Sequence, residues 1–326
     1  MVQEVYGKKG VEVQTMVVSI IIPTYNEESF LSTCLDSLLS LNYPKEHFEI
    51  IVVDNGSTDH TREIAQTYGV KIIRDDSKNV SGLRNLGVTQ ARGDIIAFVD
   101  ADCIVSKNWL KNASIYFDNL PIAAWGSPPI PPKEANWVQK TWFLVRQKEE
   151  QIQDVDWLES MNLFVRKRKF TELGGFNETL VTCEDADFSY KMRKFGKIVS
   201  DSAIEVIHLG EASTAKDFVK KEIWRGQGNL KGILSHGLLF KELPSLSIPF
   251  YFGIFLPVLL AVSIITLSRD LLSALVILYF LPSLGVLFKV RRKKIAVSDM
   301  LRLFFLIQLY FFSRTVAILK NTRKSA

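Results

Sequence analysis

Cysteine is scarce in this chain. Its three cysteines, Cys34, Cys103 and Cys183, lie far apart and are odd in number, so they offer no disulfide framework and no metal-binding spacing. That usage suits a reducing compartment. No Gly-x-Gly-x-x-Gly follows an apolar run, which sets dinucleotide chemistry aside. No RNP, zinc or helix-turn-helix signature accompanies the basic residues, and nucleic acid is not an expected partner. Residues 1–16 carry Glu4, Lys8, Lys9 and Glu12 without an apolar core, so they read as an N-terminal extension and not as a signal peptide. Beyond Pro244 acidic residues almost vanish, and only Asp270 and Asp299 remain.

Apolar sequence replaces them. Mean hydropathy is +0.11 and 47% of residues are hydrophobic, high for a soluble enzyme, and the excess is concentrated after residue 243. Segment 247–267 is uncharged and has the length of about 20 residues that a bilayer requires. Segment 271–288 is shorter and equally uncharged, and only Arg269-Asp270 separates the two. The pair predicts a helical hairpin. Basic clusters at 291–294 and 320–324 lie beside these runs, as they do at membrane surfaces. They predict a multi-pass protein of the cell membrane with its N-terminal domain on the cytosolic side. Segment 300–319 is interrupted by Arg302, Gln308 and Arg314, which predicts an interfacial helix over a third crossing. The expected organisation is therefore an extension (1–16), a globular domain (17–235) and a membrane region (236–326).

Within the globular part, β-branched apolar runs at 17–23, 48–53, 70–74 and 94–99 alternate with helical patterns at 30–39, 59–68, 80–91 and from about 106. Ser57 or Thr58 is a candidate cap for the second helix. This alternation is the mark of a parallel α/β sheet covered on both faces. Ligands of such sheets bind beyond the carboxyl ends of the strands. Three polar clusters fall there: Pro23-Thr24-Tyr25-Asn26, Asp54-Asn55-Gly56-Ser57 and Asp100-Ala101-Asp102. From about residue 122 the pattern is mixed. Helices are expected at 134–151, 184–195 and 216–234, a strand at 162–166, and extended chain at 198–207.

Two acidic clusters carry the chemistry. An Asp-x-Asp is more often a solvated turn, but at a strand end Asp100 and Asp102 can face a divalent cation, with a nucleotide diphosphate completing its shell. The second cluster is Thr182-Cys183-Glu184-Asp185-Ala186-Asp187. Acids opening a helix can simply answer its dipole, with Thr182 as the cap. Alternatively, one of them is a base that takes a proton from an acceptor hydroxyl.

Read in order, Pro23-Thr24-Tyr25-Asn26-Glu27-Glu28, Val52-Val53-Asp54-Asn55-Gly56-Ser57-Thr58-Asp59, Arg84-Asn85-Leu86-Gly87, Gly93-Asp94 leading into Asp100-Ala101-Asp102, Gly174-Gly175-Phe176 and Glu184-Asp185-Ala186-Asp187-Phe188 resemble the signature of family 2 glycosyltransferases. The resemblance covers roughly residues 17–228. It implies a GT-A fold, a Rossmann-like α/β/α sandwich with a mostly parallel sheet. It implies a nucleotide-diphosphate sugar donor and a divalent cation, Mn²⁺ or Mg²⁺. Thr24, Tyr25, Asp54 and Asn55 would line the base and ribose, and Arg84 the base or diphosphate. Asp102 would bind the metal, with Asp100 at the ribose or a metal-bound water. Asp185 would be the base of an inverting displacement. His208 stands where some GT-A enzymes supply a further metal ligand, and an ordinary strand-end histidine is an equal reading.

Two departures qualify the resemblance. Asp54-Asn55 replaces the usual pair of acids, which makes a UDP donor less certain. The Gln-x-x-Arg-Trp of processive members is absent, and Trp224-Arg225-Gly226-Gln227-Gly228 has similar residues in another order. One sugar per encounter is the expectation. Trp125, Trp137, Trp142 and Trp157 are candidates for an acceptor surface, although tryptophans at this spacing are more often core. With the membrane segments they suggest a lipid-linked or glycan acceptor and contact with membrane lipids. The competing readings are a sugar nucleotidyltransferase, disfavoured because no Gly-rich basic loop follows the first strand, and an inactive membrane scaffold, disfavoured by the intact acids.

Overall fold

Seven short elements over residues 18–99 carry out the alternation just described. They are β1 (Val18–Thr24), α1 (Leu31–Leu39), β2 (Phe48–Asp54), α2 (Thr61–Thr67), β3 (Lys71–Arg74), α3 (Val80–Thr89) and β4 (Ile95–Val99). They belong to a computed structural model that describes residues 16–146, 151–237, 240–291 and 295–322. Most of the predicted N-terminal extension, the last turn of the helix expected at 134–151, and parts of both basic clusters lie outside the described residues. β1 is buried along its whole length because helices cover both faces, which is why it reads as an unbroken apolar run. α1 turns Leu31, Cys34, Leu35 and Leu38 onto one face of the sheet. α3 lies on the other, beside Phe98, Phe170 and Phe176. α2 is shorter than expected, and neither Ser57 nor Thr58 caps it. Asp59 accepts the N–H of Thr61 instead (3.0 Å).

The chain continues through β5 (Cys103–Val105), α4 (Trp109–Ala113), β6 (Ile122–Gly126), α5 (Trp137–Arg146), β7 (Ile152–Asp154), β8 (Asn162–Arg166), α6 (Lys167–Leu173), α7 (Glu184–Met192), β9 (Lys197–Asp201) and β10 (Val206–His208). The main sheet has the order β3-β2-β1-β4-β8-β6-β9-β7. β1 to β4 pair in parallel, while β8 runs antiparallel to both β4 and β6. β5 and β10 form a separate antiparallel ribbon. The extended stretch expected at 198–207 is thus two strands in two sheets, divided by a turn at Ser202 to Ile204.

The helix expected at 216–234 is two, α8 (Ala215–Gly226) and α9 (Asn229–His236). The break has a cause: Gly228 presses against Thr182, its N–H donating to the Thr182 hydroxyl (2.8 Å), and no side chain fits there. Three long helical stretches follow. α10 (Leu243–Phe250) and α11 (Leu256–Ile265) are joined by a π-helical turn into Leu243–Ile265, ahead of α12 (Arg269–Arg291) and α13 (Val297–Thr322). All three stretches are long and apolar enough to cross a membrane.

α13 differs from the other two. A third of its most apolar window is buried within the protein, against 17% and 6% for the hairpin. One face meets α12 and α10 through Leu303, Ile307 and Phe311. The adjoining face lies on the globular domain, and Tyr310 packs in both contacts. Phe305 meets Trp137, Tyr310 meets Trp142, and Leu306 packs with Val138 and Phe218. Arg314 bonds Glu222 at 3.0 Å, and Gly226 lets Ala317 come so close that a Cβ there would stand 2.7 Å from it.

Candidate active site

The carboxyl edge of the parallel strands forms a shelf. The β1–β2 register sets Thr24 opposite Asp54, both buried. The Asp54 carboxylate accepts the backbone N–H groups of Gly56 and Ser57 (3.1 Å each), closing an Asx turn that requires φ +72° at Gly56. The loop after β1 is tied to this turn. Asn26 accepts the Thr58 N–H on its Oδ1 and donates its own N–H to the Ser57 hydroxyl, each at 2.9 Å. Tyr25 stands on the shelf 56% exposed, its ring free for a planar ligand. Asn55 turns away, its side-chain nitrogen donating to the carbonyls of Lys78 (2.9 Å) and Asp75 (3.2 Å).

Asp100 and Asp102 follow the end of β4. The ribbon sets His208 across from Cys103, and the Leu209 N–H donates to the Asp102 carbonyl (2.9 Å). This brings His208 Nε2 to 3.0 Å from Asp102 Oδ2, across 106 residues of sequence. Gly210 leaves the room, since a Cβ there would collide with Asp102 Oδ2. Burial would raise the Asp102 carboxyl, but the hydrogen bond and charge of His208, aided by Lys221, hold it below the usual range. Burial would lower His208, yet Asp102 and Glu211 keep it above its ordinary value. The nearby Glu27 carboxyl is pushed up to about 7 by burial and by the charges of Asp102, Asp100 and Asp59.

The charges of Asp102 and Asp100 thus press on the Glu27 carboxyl with only His208 opposing them there, a repulsion that a divalent cation would offset. Among the described residues no three ligand-type side chains close on a single point. Few protein ligands plus diphosphate oxygens is how Mg²⁺ and Mn²⁺ are commonly held, so the residues present fit such an ion.

Across the site, α7 opens with Glu184, Asp185 and Asp187. Thr182 is not its cap. Cys183 takes that position at φ 67°, while the Thr182 hydroxyl donates to the Arg225 carbonyl (3.1 Å). Arg84 joins the two acidic clusters. Buried on α3, it donates to Asp100 Oδ1 (2.7 Å) and to Glu184 Oε1 (2.8 Å). Burial, then the charges of Glu184 and Glu159, push the Asp185 carboxyl up to about 7, against the opposing pull of the Ala186 N–H and Arg84. A carboxyl in that range is matched to base catalysis near neutral pH.

The residues singled out in the sequence thus form three groups at one edge: Thr24, Tyr25 and Asp54 on the shelf, Asp100 with Asp102 and His208, and Asp185 next to Glu184, which Arg84 ties to Asp100; the Asn55 side chain, expected at the base or ribose, is instead spent on the loop carbonyls of Lys78 and Asp75. Glu27 stands in the sequence motif with no role read for it, and neither Glu159 nor Glu211 is singled out by the sequence. Of the tryptophans, Trp125 is core, stacked on Phe164. Trp142 packs against Phe218 and Tyr310. Trp137 and Trp157 stay 39% exposed.

A mostly parallel sheet with polar clusters along its carboxyl edge, an Asp-x-Asp beside His208 and an acidic helix start facing it is the arrangement of a GT-A glycosyltransferase. The comparisons agree. Residues 19–174 match the family model described as glycosyl transferase family 2. Glycosyltransferase AglE of Haloferax volcanii is 29% identical over 223 residues, 66% of this chain and 73% of that protein. A Methanococcus voltae enzyme described as dolichyl N-acetyl-α-D-glucosaminyl phosphate 3-β-D-2,3-diacetamido-2,3-dideoxy-β-D-glucuronosyltransferase is 32% identical over 102 residues, 29% of this chain and 32% of that one. Among solved structures, the mannosyltransferase PcManGT from Pyrobaculum calidifontis, in complex with GDP-Man and Mn²⁺, shares the fold. Its TM-score is 0.62 at 16% identity, over 95% of this chain and 88% of that one. Residues 19–174 are thus a family 2 glycosyltransferase domain, that of an enzyme that draws on a nucleotide sugar.

Proposed function

We propose that this enzyme is a metal-dependent, inverting transferase that moves one sugar per encounter from a nucleotide-diphosphate sugar to a hydroxyl of a lipid-linked or polymeric glycan at a membrane surface. The observation that carries this reading is the Asp185 carboxyl, raised to about 7 and joined through Glu184 and Arg84 to the Asp-x-Asp. Tyr25 packs on the donor base. Asp54 keeps the shape of the shelf beneath the base, and Asn55 anchors its outer loop. Asp102 and His208 would hold the cation, which when bound would stabilise negative charge on the departing nucleoside diphosphate. Asp100, fixed by Arg84, faces the ribose or a cation-bound water. Asp185 takes the acceptor's proton as the acceptor oxygen attacks the anomeric carbon from the opposite face.

The surroundings of Asp185 favour a neutral acceptor group. Glu184 and Glu159 add negative charge, and the arginines near them are already engaged. Arg84 bonds Asp100 and Glu184, and Arg146 bonds Glu159 (3.0 Å) and Glu211 (2.6 Å). A phosphate oxyanion would enter against this field, whereas a sugar or polyol hydroxyl needs the base that the site supplies. The M. voltae relative, by its name, likewise extends a sugar carried on a dolichyl phosphate. The test is an acceptor panel with solubilised enzyme: polyprenyl phosphate, polyprenyl diphosphate bearing one sugar, and a glycan polymer. Transfer to the sugar-bearing acceptors alone is expected. Transfer to bare polyprenyl phosphate, undiminished in Asp185→Asn, would contradict the reading.

α10 to α12 serve as a membrane hairpin with the globular domain on the cytosolic side. α13 touches that domain from Phe305 to Ala317, about 18 Å of helix. A helix laid along a water-facing domain over that length belongs in the interface. A C-terminal epitope tag should therefore be reached by antibody from the same side as the globular domain; protection from that side would make α13 a third crossing.

A further inference from the structure

A line of charged contacts runs from α13 to the Asp-x-Asp. Arg314 Nη2 meets Glu222 Oε2 at 3.0 Å, and Glu222 Oε1 meets Arg225 Nη1 at 2.8 Å. Arg225 Nη2 meets Glu211 Oε1 at 2.7 Å, and that same oxygen lies 3.5 Å from His208 Nδ1. His208 Nε2 then reaches Asp102. Glu222, Glu211 and His208 are all buried. Four residues bring a cationic or ring nitrogen to the one Glu211 carboxylate: Arg146 at 2.6 Å, Arg225, Lys221 at 3.7 Å and His208.

We propose that Glu211 is a positioning residue that orients His208 toward the cation, and that α13 holds Glu211 in place through Arg314, Glu222 and Arg225. The inference rests on the reading that Asp102 and His208 hold that cation. Among the described residues, buried His208 Nδ1 has no closer acceptor than Glu211 Oε1 at 3.5 Å, so the Glu211 carboxylate is the acceptor it faces. A proton kept on Nδ1 leaves the Nε2 lone pair on the Asp102 side, where a ligand needs it. A carboxylate behind a ligating imidazole commonly does this. Glu211 would not hold one geometry without its arginines, and Arg225 is shared with Glu222, which α13 completes. The interfacial helix is on this account part of the support of the donor site as well as a membrane contact.

The test titrates Mn²⁺ alone into the full-length protein, with free Mn²⁺ read by electron paramagnetic resonance and melting temperature followed separately. Weakened but measurable binding in His208→Ala establishes the underlying cation site; wild-type affinity in that variant would overturn the site and this proposal with it. Glu211→Gln should then bind Mn²⁺ about 10- to 100-fold more weakly, the usual cost of losing such a partner. The double variant His208→Ala/Glu211→Gln should be no weaker than His208→Ala, because the two act as one unit. Additive loss would mean that Glu211 does not act through His208. Arg314→Met should weaken Mn²⁺ in the same direction, with recovery in Arg314→Lys. Wild-type affinity in Glu211→Gln overturns the positioning role, and wild-type affinity in Arg314→Met overturns the part given to α13.

Discussion

Asp185→Asn will bind donor as the wild type does and lose transfer to a hydroxyl acceptor by about 10²- to 10⁴-fold, the range a general base contributes. The amide is nearly the same size and cannot take a proton, so donor KM and kcat should separate. In the wild type the carboxylate form is the active one, and burial with Glu184 and Glu159 pushes this carboxyl up to about 7. Transfer should accordingly rise with pH through about 7. Stability runs the other way. The folded value lies above the unfolded one of 3.8, so the folded state binds more protons between them, and stability falls as pH rises through that window. Asparagine removes the burden of a buried charge. The variant should melt higher than the wild type at pH 8 and lose that advantage at pH 4. A variant that transfers normally at pH 8 would remove Asp185 from the chemistry, and one melting lower at pH 8 would contradict the electrostatics.

Asp102→Ala will abolish cation-dependent donor turnover, by roughly 10³-fold or more if the cation supplies several kcal/mol. Its carboxylate bonds His208, sits against Gly210, and shares its surroundings with Asp100 and Glu27. Removing it takes away the carboxylate proposed to hold the cation, and it should also lower the Glu27 carboxyl, which burial and the remaining charges of Asp100 and Asp59 still keep raised. Wild-type turnover with EDTA present, or in this variant, would show that the acid cluster has another purpose.

The parallel half of the fold is legible because its strands are buried on both faces and write themselves as continuous runs, Ile20 to Ile22 and Ile50 to Val53 being the clearest. β5, β7 and β10 are three residues long, too short for any period to register. β6 passes through Ala123 and Ala124, which carry little strand preference, and becomes a strand because β8 and β9 flank it. In the site, the acids at strand and helix ends were readable from position alone. Their partners were not. Nothing local announces that Arg84 will bridge Asp100 and Glu184, which stands 100 residues on, because that contact exists only once α7 folds back over the sheet edge. Glu211 gives a fainter signal: an acid three residues after His208 in a stretch leaving a strand, meaningful only when Arg146 and Arg225 are known to converge on it. The resemblance to α-helical membrane spans in 300–319 was tempered by Arg302, Gln308 and Arg314, and Arg314 and Gln308 prove to be bonded inside the protein, to Glu222 and Ser283.

The most direct test of the account is release of nucleoside diphosphate by the detergent-solubilised enzyme across a panel of sugar nucleotides, each with Mn²⁺, Mg²⁺ or EDTA and with a sugar-bearing polyprenyl diphosphate as acceptor. The account predicts release from one donor class, present with either cation, absent with EDTA, and lost in Asp102→Ala. Release that is indifferent to EDTA, or a bound donor that no acceptor or cation induces to turn over, would contradict it.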